Sequence, residues 1–352
     1  MSKELSQIKQ IFSILAMFLF GNLIISFPKG EGLKQSFWGY IVCYILSVFI
    51  LLLLSHLQSR NKNFGIEYFV RLTGIKAALK WLLILFALLC LIICSKDYVK
   101  MVDEIRLRNT PRWVIAVIYI FVVLLLSQTK KRVIAMFSFV NLILISLGAI
   151  LMLLFSLPLF NFNLFIDSLC FNAKNTITQG LTFYIHSFGQ LILCLLFLGH
   201  QKREYSVKGN LYGILIGGAV FLICFVNIIF VIGSDLIPKL QFPYANVTGM
   251  IVTGENYNRL DVITYYIYFI CDLIKASILF RIITACFTKN KTQKWSVITF
   301  SLLVSVIFSS SETLGGLLRS DAVNLTLLIL EIIFPLILIF SLNEKTMSVM
   351  KK

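Results

Sequence analysis

Ten apolar runs bounded by charged or turn residues occupy most of this chain, at about 8–27, 37–57, 78–97, 113–128, 133–157, 177–198, 210–233, 260–281, 295–311 and 322–342. A helical span needs roughly 20 apolar residues to cross about 30 Å of hydrocarbon. The chain has 352 residues, 59% of them hydrophobic and 14% charged. Soluble domains carry about a quarter charged residues, and a core of this size cannot hide so much apolar surface. That excludes a soluble enzyme, a nucleic-acid-binding domain and a disordered chain. The expectation is an all-α membrane protein of about ten spans, forming one transmembrane domain over 1–352.

The net charge of +16 is read through its placement. With a cytoplasmic N-terminus, the connections on the inner side carry 20 Lys and Arg against 4 acids, and those on the outer side 11 against 10. This asymmetry follows the positive-inside rule and puts both termini in the cytoplasm. The third connection is the exception, with five basic residues outside. The first run ends at Phe27-Pro28 without a small-residue cleavage site and reads as a retained span. Between the second and third spans, Phe64, Ile66, Phe69, Val70, Ile75 and Leu79 alternate with Arg71, Lys76 and Lys80. That pattern reads as an amphipathic helix on the inner surface or a solvated linker. The eight cysteines show no metal-ligand spacing, and no cofactor or metal is implied.

Polar residues inside hydrocarbon are costly and mark candidate sites. Gly21-Asn22-Leu23 in the first span reads either as an unwound point or as a small-residue packing contact. In the sixth span, His186-Ser187-Phe188-Gly189-Gln190 is the most polar mid-span stretch. Spans one and six are five apart, so a second set of five (177–342) is inverted relative to the first (8–157). Interrupted helices at corresponding positions of inverted repeats point to a midplane binding site, where freed amides take an anionic group and freed carbonyls a cation. Asp272 and Lys275 in the eighth span lie three apart on one helix face and are expected to pair, as a structural ion pair or a coupling charge. Glu331 sits four residues before Pro335 in the tenth span, where the proline leaves the Glu331 carbonyl without its helical partner; a hinge, a proton site and a packing kink all fit.

At these residues the chain resembles the spore germination permease family, the B subunits of nutrient germinant receptors, within the amino acid–polyamine–organocation superfamily. The segment Phe20 to Pro28 is similar to that family's first-span glycine motif, with Leu23 replacing its second glycine. Leu107-Arg108-Asn109-Thr110-Pro111 resembles its Leu-Pro-x-Thr-Pro, with Arg108 in place of the proline. Phe242-Pro243, Arg259-Leu260-Asp261 and the Lys275-x-Ser277 pattern follow in the family's order. The resemblance implies a LeuT-like fold of two inverted five-span repeats in the spore inner membrane. It implies a small nutrient ligand, most simply an amino acid, and partner A and C subunits alongside membrane lipid, with no nucleic acid. Gly21, Asn22, Leu23, Ser187, Phe188 and Gly189 are the candidate substrate-binding residues. Asp272, Lys275 and Glu331 are the candidate coupling or structural charges. An ordinary amino-acid transporter of the same fold is the alternative. A multi-span glycan polymerase or acyltransferase is a further one, although the longest external loop, about 234–259, has no His.

Overall fold

Without water to satisfy them, backbone polar groups in hydrocarbon must bond within their own segment, which favours helices. The computed structural model describes residues 3–25, 37–60, 64–70, 77–104, 110–169, 171–240, 242–251, 260–287, 291–311 and 321–350, and no β-strand occurs among them. In order these are α1 (Lys3–Ile25), α2 (Phe37–Arg60), α3 (Ile66–Val70), α4 (Ala77–Glu104), α5 (Arg112–Gln128), α6 (Lys131–Ser156), α7 (Phe162–Leu169), α8 (Ala173–Phe183), α9 (Leu191–Leu198), α10 (Arg203–Ile232), α11 (Pro243–Met250), α12 (Asp261–Ala285), α13 (Lys291–Ser310) and α14 (Asp321–Met350). Each expected span coincides with one helix, except the sixth, which is α8 and α9 in series. The breaks follow local chemistry. α9 and α10 end at Gly199 (φ 73°) and Gly233 (φ 84°), positive-φ positions that glycine adopts at least cost.

Burial sorts the helices into two groups. Along α1, Leu15 to Phe20 are inaccessible, as are Leu193 to Phe197 of α9 and most of Ile274 to Ile283 of α12. These three form the centre. α2, α5, α6 and α13 turn large apolar side chains outward, among them Phe49, Phe121, Met136 and Leu303. In water such a surface would drive aggregation; against lipid it is the expected exterior.

The closest packing in the centre is between α1 and α10. Gly209, Gly213 and Gly217 form a small-residue stripe on α10, and a Cβ on Gly217 would lie 2.8 Å from the Ala16 carbonyl oxygen. Between membrane helices, which gain little from the hydrophobic effect, such close approach supplies the attraction. At one end of the bundle a buried network locks α2 to α10. Gln58 Oε1 accepts from Ser206 Oγ (2.7 Å) and Asn210 Nδ2 (2.9 Å), and Gln58 Nε2 donates to the Gly199 carbonyl (2.7 Å).

Two connections differ from expectation. The inner-surface helix is confined to α3 among the described residues, and it does not lie on a surface: Phe64, Ile66, Tyr68 and Phe69 are buried, with the Phe69 ring 6.1 Å from that of Phe334. Packing against α4 and α12 supplies the apolar partner that lipid was expected to provide. Ile75, Arg71 and Lys76 lie outside the described residues. The long connection after α10 is not open loop either, since α11 folds back with Tyr244 and Val247 fully buried against α10 and α12. The exceptional third connection contains a two-bond ion pair, Arg112 Nε and Nη2 donating to Asp103 Oδ2 at 3.0 and 2.8 Å. That pair offsets part of its basic charge.

Candidate functional site

The sixth span breaks where its sequence is poorest in helix formers. Tyr184 to Phe188 form a π-turn, closed by the Gly189 amide donating to the Tyr184 carbonyl at 2.8 Å. Such turns widen the helix by one residue and recur at functional sites. Gly189 leaves the space that the Glu331 carboxylate, reaching in from α14, occupies: a Cβ there would overlap it and the carboxylate would have to shift. Glu331 thus packs directly on the π-turn, a contact between the sixth and tenth spans.

The first span meets the same turn. Asn22 Nδ2 donates to the Ser187 carbonyl at 3.0 Å, with Asn22 and Ser187 both fully buried. α1 itself is helical through Gly21-Asn22-Leu23 to Ile25, so the first span is not unwound at these residues; Ser26 to Pro28 lie outside the described residues. Gly21 serves the packing reading instead, because its Cβ position is 3.0 Å from Cys271 Cβ on α12. Leu23 and Phe188 are buried in the core and the Phe188 ring lies 6.1 Å from that of Tyr44.

Asp272 and Lys275 are buried, at 2% and 4% exposure, but no direct ion pair joins them among the described residues. Asp272 Oδ2 instead accepts the Tyr119 hydroxyl of α5 at 2.5 Å. Tyr119 stacks on Tyr98 of α4, with ring centroids 4.1 Å apart at 19°. The i, i+3 spacing put both charges on one face; a closer partner on a neighbouring helix took the carboxylate. Lys275 lies beside the Cys90 and Cys94 thiols of α4 and within electrostatic reach of both Asp272 and Glu331. Asp272 and Glu331 are thus each linked electrostatically to Lys275. Pro335 is accommodated inside a continuous α14.

The sequence reading did not find Tyr119. A tyrosine in an apolar span carries no signal of its own, and only the tertiary contact reveals its role. The pairing of Gly189 with Glu331 was legible only as two separate anomalies. Cys43, Cys90, Cys94, Cys194, Cys224, Cys271 and Cys286 are free and buried.

Compared with known proteins, the fold is LeuT-like. The structure is similar to the substrate-bound, outward-open state of a Na+-coupled sialic acid symporter, with a TM-score of 0.58 at 12% identity over 94% of this chain and 77% of the other. No curated protein sequence matches the chain. The sequence profile described as "spore germination protein", that of the spore permeases, matches residues 6–310. That match sets aside the glycan polymerase and acyltransferase alternative. With nearly the whole chain matched, this multi-pass membrane protein belongs to the spore germination permease family.

Proposed function

We propose that this chain is the permease-like B subunit of a spore germinant receptor, with both termini cytoplasmic, in the spore inner membrane. A small nutrient, most simply an amino acid, binds where the first span meets the interrupted sixth. Gly21, Asn22, Leu23, Ser187, Phe188 and Gly189 line or shape that site. The observation that carries this reading is the Asn22–Ser187 hydrogen bond, which ties the polar point of α1 to the π-turn between α8 and α9. A ligand that breaks or replaces this bond favours one arrangement of the two spans, and its effect is limited by its differential affinity for the two states. The Asp272–Lys275–Glu331 group is placed to sense that change, since Glu331 rests on Gly189. A- and C-type subunits receive the shift.

Germination supplies the test. Spores lacking this protein should lose the response to at least one nutrient, and Asn22→Ala should weaken the same response with the protein still present in the membrane. Normal germination of the deletion strain with every nutrient tested refutes the reading. A second reading, transport by the chain alone, is favoured by the fold shared with a symporter. Uptake of a labelled amino acid by liposomes containing only this protein would select it over the receptor.

A further inference from the structure

At one end of the bundle α5, α9 and α12 finish and α6 begins, and basic side chains from two of these helices converge. Lys131 opens α6, and Arg281 stands one turn before the end of α12. Both charges lie over the same buried ring, that of Phe197 on α9. Lys131 Nζ is 5.3 Å from its centroid and Arg281 Cζ 5.7 Å. Arg281 is held in place by donating from Nη1 to the Thr129 carbonyl, in the turn between α5 and α6. The guanidinium has five N–H donors, so most of them stay available to a ligand.

The positive-inside rule accounts for basic residues at this end, but it asks only for their number. It does not require two like charges, 150 positions apart in sequence, to share one ring. Lys131 and Arg281 act on each other as like charges, and the exposed Lys130 and Arg132 add two more beside them. Against these four, Glu67 of α3 is the acid within electrostatic reach of Lys131. No ion pair holds Lys131 or Arg281 among the described residues, and no acid stands in the first turn of α6. The ring face attracts each cation without neutralising it. An anion between the two charges relieves the excess.

Depth identifies the anion. The ends of membrane helices lie at headgroup level, where Lys and Arg extend their charged tips to the interface. Basic pockets between spans take anionic headgroups there. The Arg fork fits two phosphate oxygens, and the Lys ammonium adds a point charge. The neighbouring surface suits the rest of a lipid. Arg132 heads a row on α6 that continues as Met136 and Val140 (i, i+4, i+8), both exposed and apolar. An acyl chain can lie along that row, whereas a free phosphate has no use for it. We propose that Lys131 and Arg281, gathered about the Phe197 ring, bind a phosphate group carried by an anionic phospholipid. This site does not depend on the nutrient reading, and either can fail alone.

The experiment is thermal unfolding of the purified full-length protein in a non-ionic detergent, followed by its tryptophan fluorescence. Phosphatidylglycerol is titrated into the micelles against phosphatidylcholine, whose own ammonium cancels its phosphate charge. Sodium phosphate is titrated in parallel at constant ionic strength. Selective binding to the folded state raises Tm with saturation, by roughly 3 °C when the ligand reaches about 100-fold its Kd. Phosphatidylglycerol should give this rise and the other two should not. Lys131→Gln and Arg281→Gln should each raise the half-saturating lipid fraction at least fivefold. Arg281→Lys keeps the charge but loses the fork, and it should also weaken binding; a diffuse attraction to a basic surface would not register that exchange. Lys174→Gln removes the same charge at the other end of the bundle and should respond as the wild type does. If Arg281→Gln, which also gives up the Thr129 carbonyl, fails to fold, the exposed Lys131 decides. The site is refuted if phosphatidylcholine matches phosphatidylglycerol, or if the folded Lys131 and Arg281 variants respond as the wild type does. An equal rise with sodium phosphate overturns the lipid as the source of the phosphate.

Discussion

Removing the Tyr119 hydroxyl tests the claim that α5 and α12 are joined through Asp272. In Tyr119→Phe the ring and its stack on Tyr98 remain, so the change isolates one bond. The hydroxyl donates to Asp272 Oδ2 at 2.5 Å, and Asp272 is 2% exposed. Hydrogen bonds to charged groups contribute about 1.5–3 kcal/mol in soluble proteins. Bonds between membrane helices average nearer 0.6 kcal/mol, with a maximum of about 1.7, because the unfolded chain in the membrane also finds partners. The short distance and full burial place this bond at the upper end of the membrane range, so a loss of about 1.5 kcal/mol is expected. That is roughly a tenfold change in the unfolding equilibrium. The assay is reversible unfolding in mixed micelles for the wild type, Tyr119→Phe, Asp272→Ala and the double variant. The cycle should return a coupling energy of at least 1 kcal/mol. Additivity to within about 0.3 kcal/mol, the behaviour of independent sites, would refute the link.

Four further outcomes follow from the packing and the charge distribution. Gly217→Ala places a Cβ 2.8 Å from the Ala16 carbonyl oxygen, where only backbone can yield; α1 and α10 must part, at a cost of about 1–3 kcal/mol. Gly249→Ala meets nothing within 4 Å and should leave the unfolding midpoint unchanged or slightly raised, which makes it the matched control. Gln58→Ala leaves the Gly199 carbonyl without its donor and removes one acceptor each from the Asn210 amide and the Ser206 hydroxyl, which keep Ser55 Oγ (2.8 Å) and the Ser55 carbonyl (3.2 Å). It should destabilise by about 2 kcal/mol and speed amide exchange in the turn after α9 before the rest of the bundle. A reporter fused after Lys131 should read as cytoplasmic and one fused after Asp235 as external; the reverse overturns the orientation drawn from the basic residues.

The spans were legible because hydrocarbon imposes a length and a composition on every one, and local sequence carries both. The broken sixth span was legible for a related reason, since His186, Ser187, Gly189 and Gln190 are all poor choices for an apolar helix. Gly21-Asn22-Leu23 carried the same signal and gave the opposite result. A glycine beside an asparagine suits an unwound point and a close helix contact equally. Cys271 on the facing helix, 250 residues away in sequence, decides between them. The Asp272–Lys275 pair failed similarly: helical spacing fixes which residues share a face, but Tyr119 stands on another helix and outcompetes Lys275 for the carboxylate. α3 was legible as amphipathic, yet pattern alone cannot say whether an apolar face meets lipid or protein.

What a broken membrane helix binds depends on which of its freed groups are left over after folding. The sequence alone allowed both, freed amides for a carboxylate and freed carbonyls for a cation. In the folded chain the Gly189 amide is engaged by the Tyr184 carbonyl, and the amide groups of Asn22 and Gln190 donate to backbone carbonyls of the turn itself. The surplus lies with their oxygens and with Glu331, which Gly189 admits by having no side chain. Polar side chains from three different spans have thus changed the sign of the break. Lys275 is within electrostatic reach of both Asp272 and Glu331, so the charge states of the two acids are linked through it.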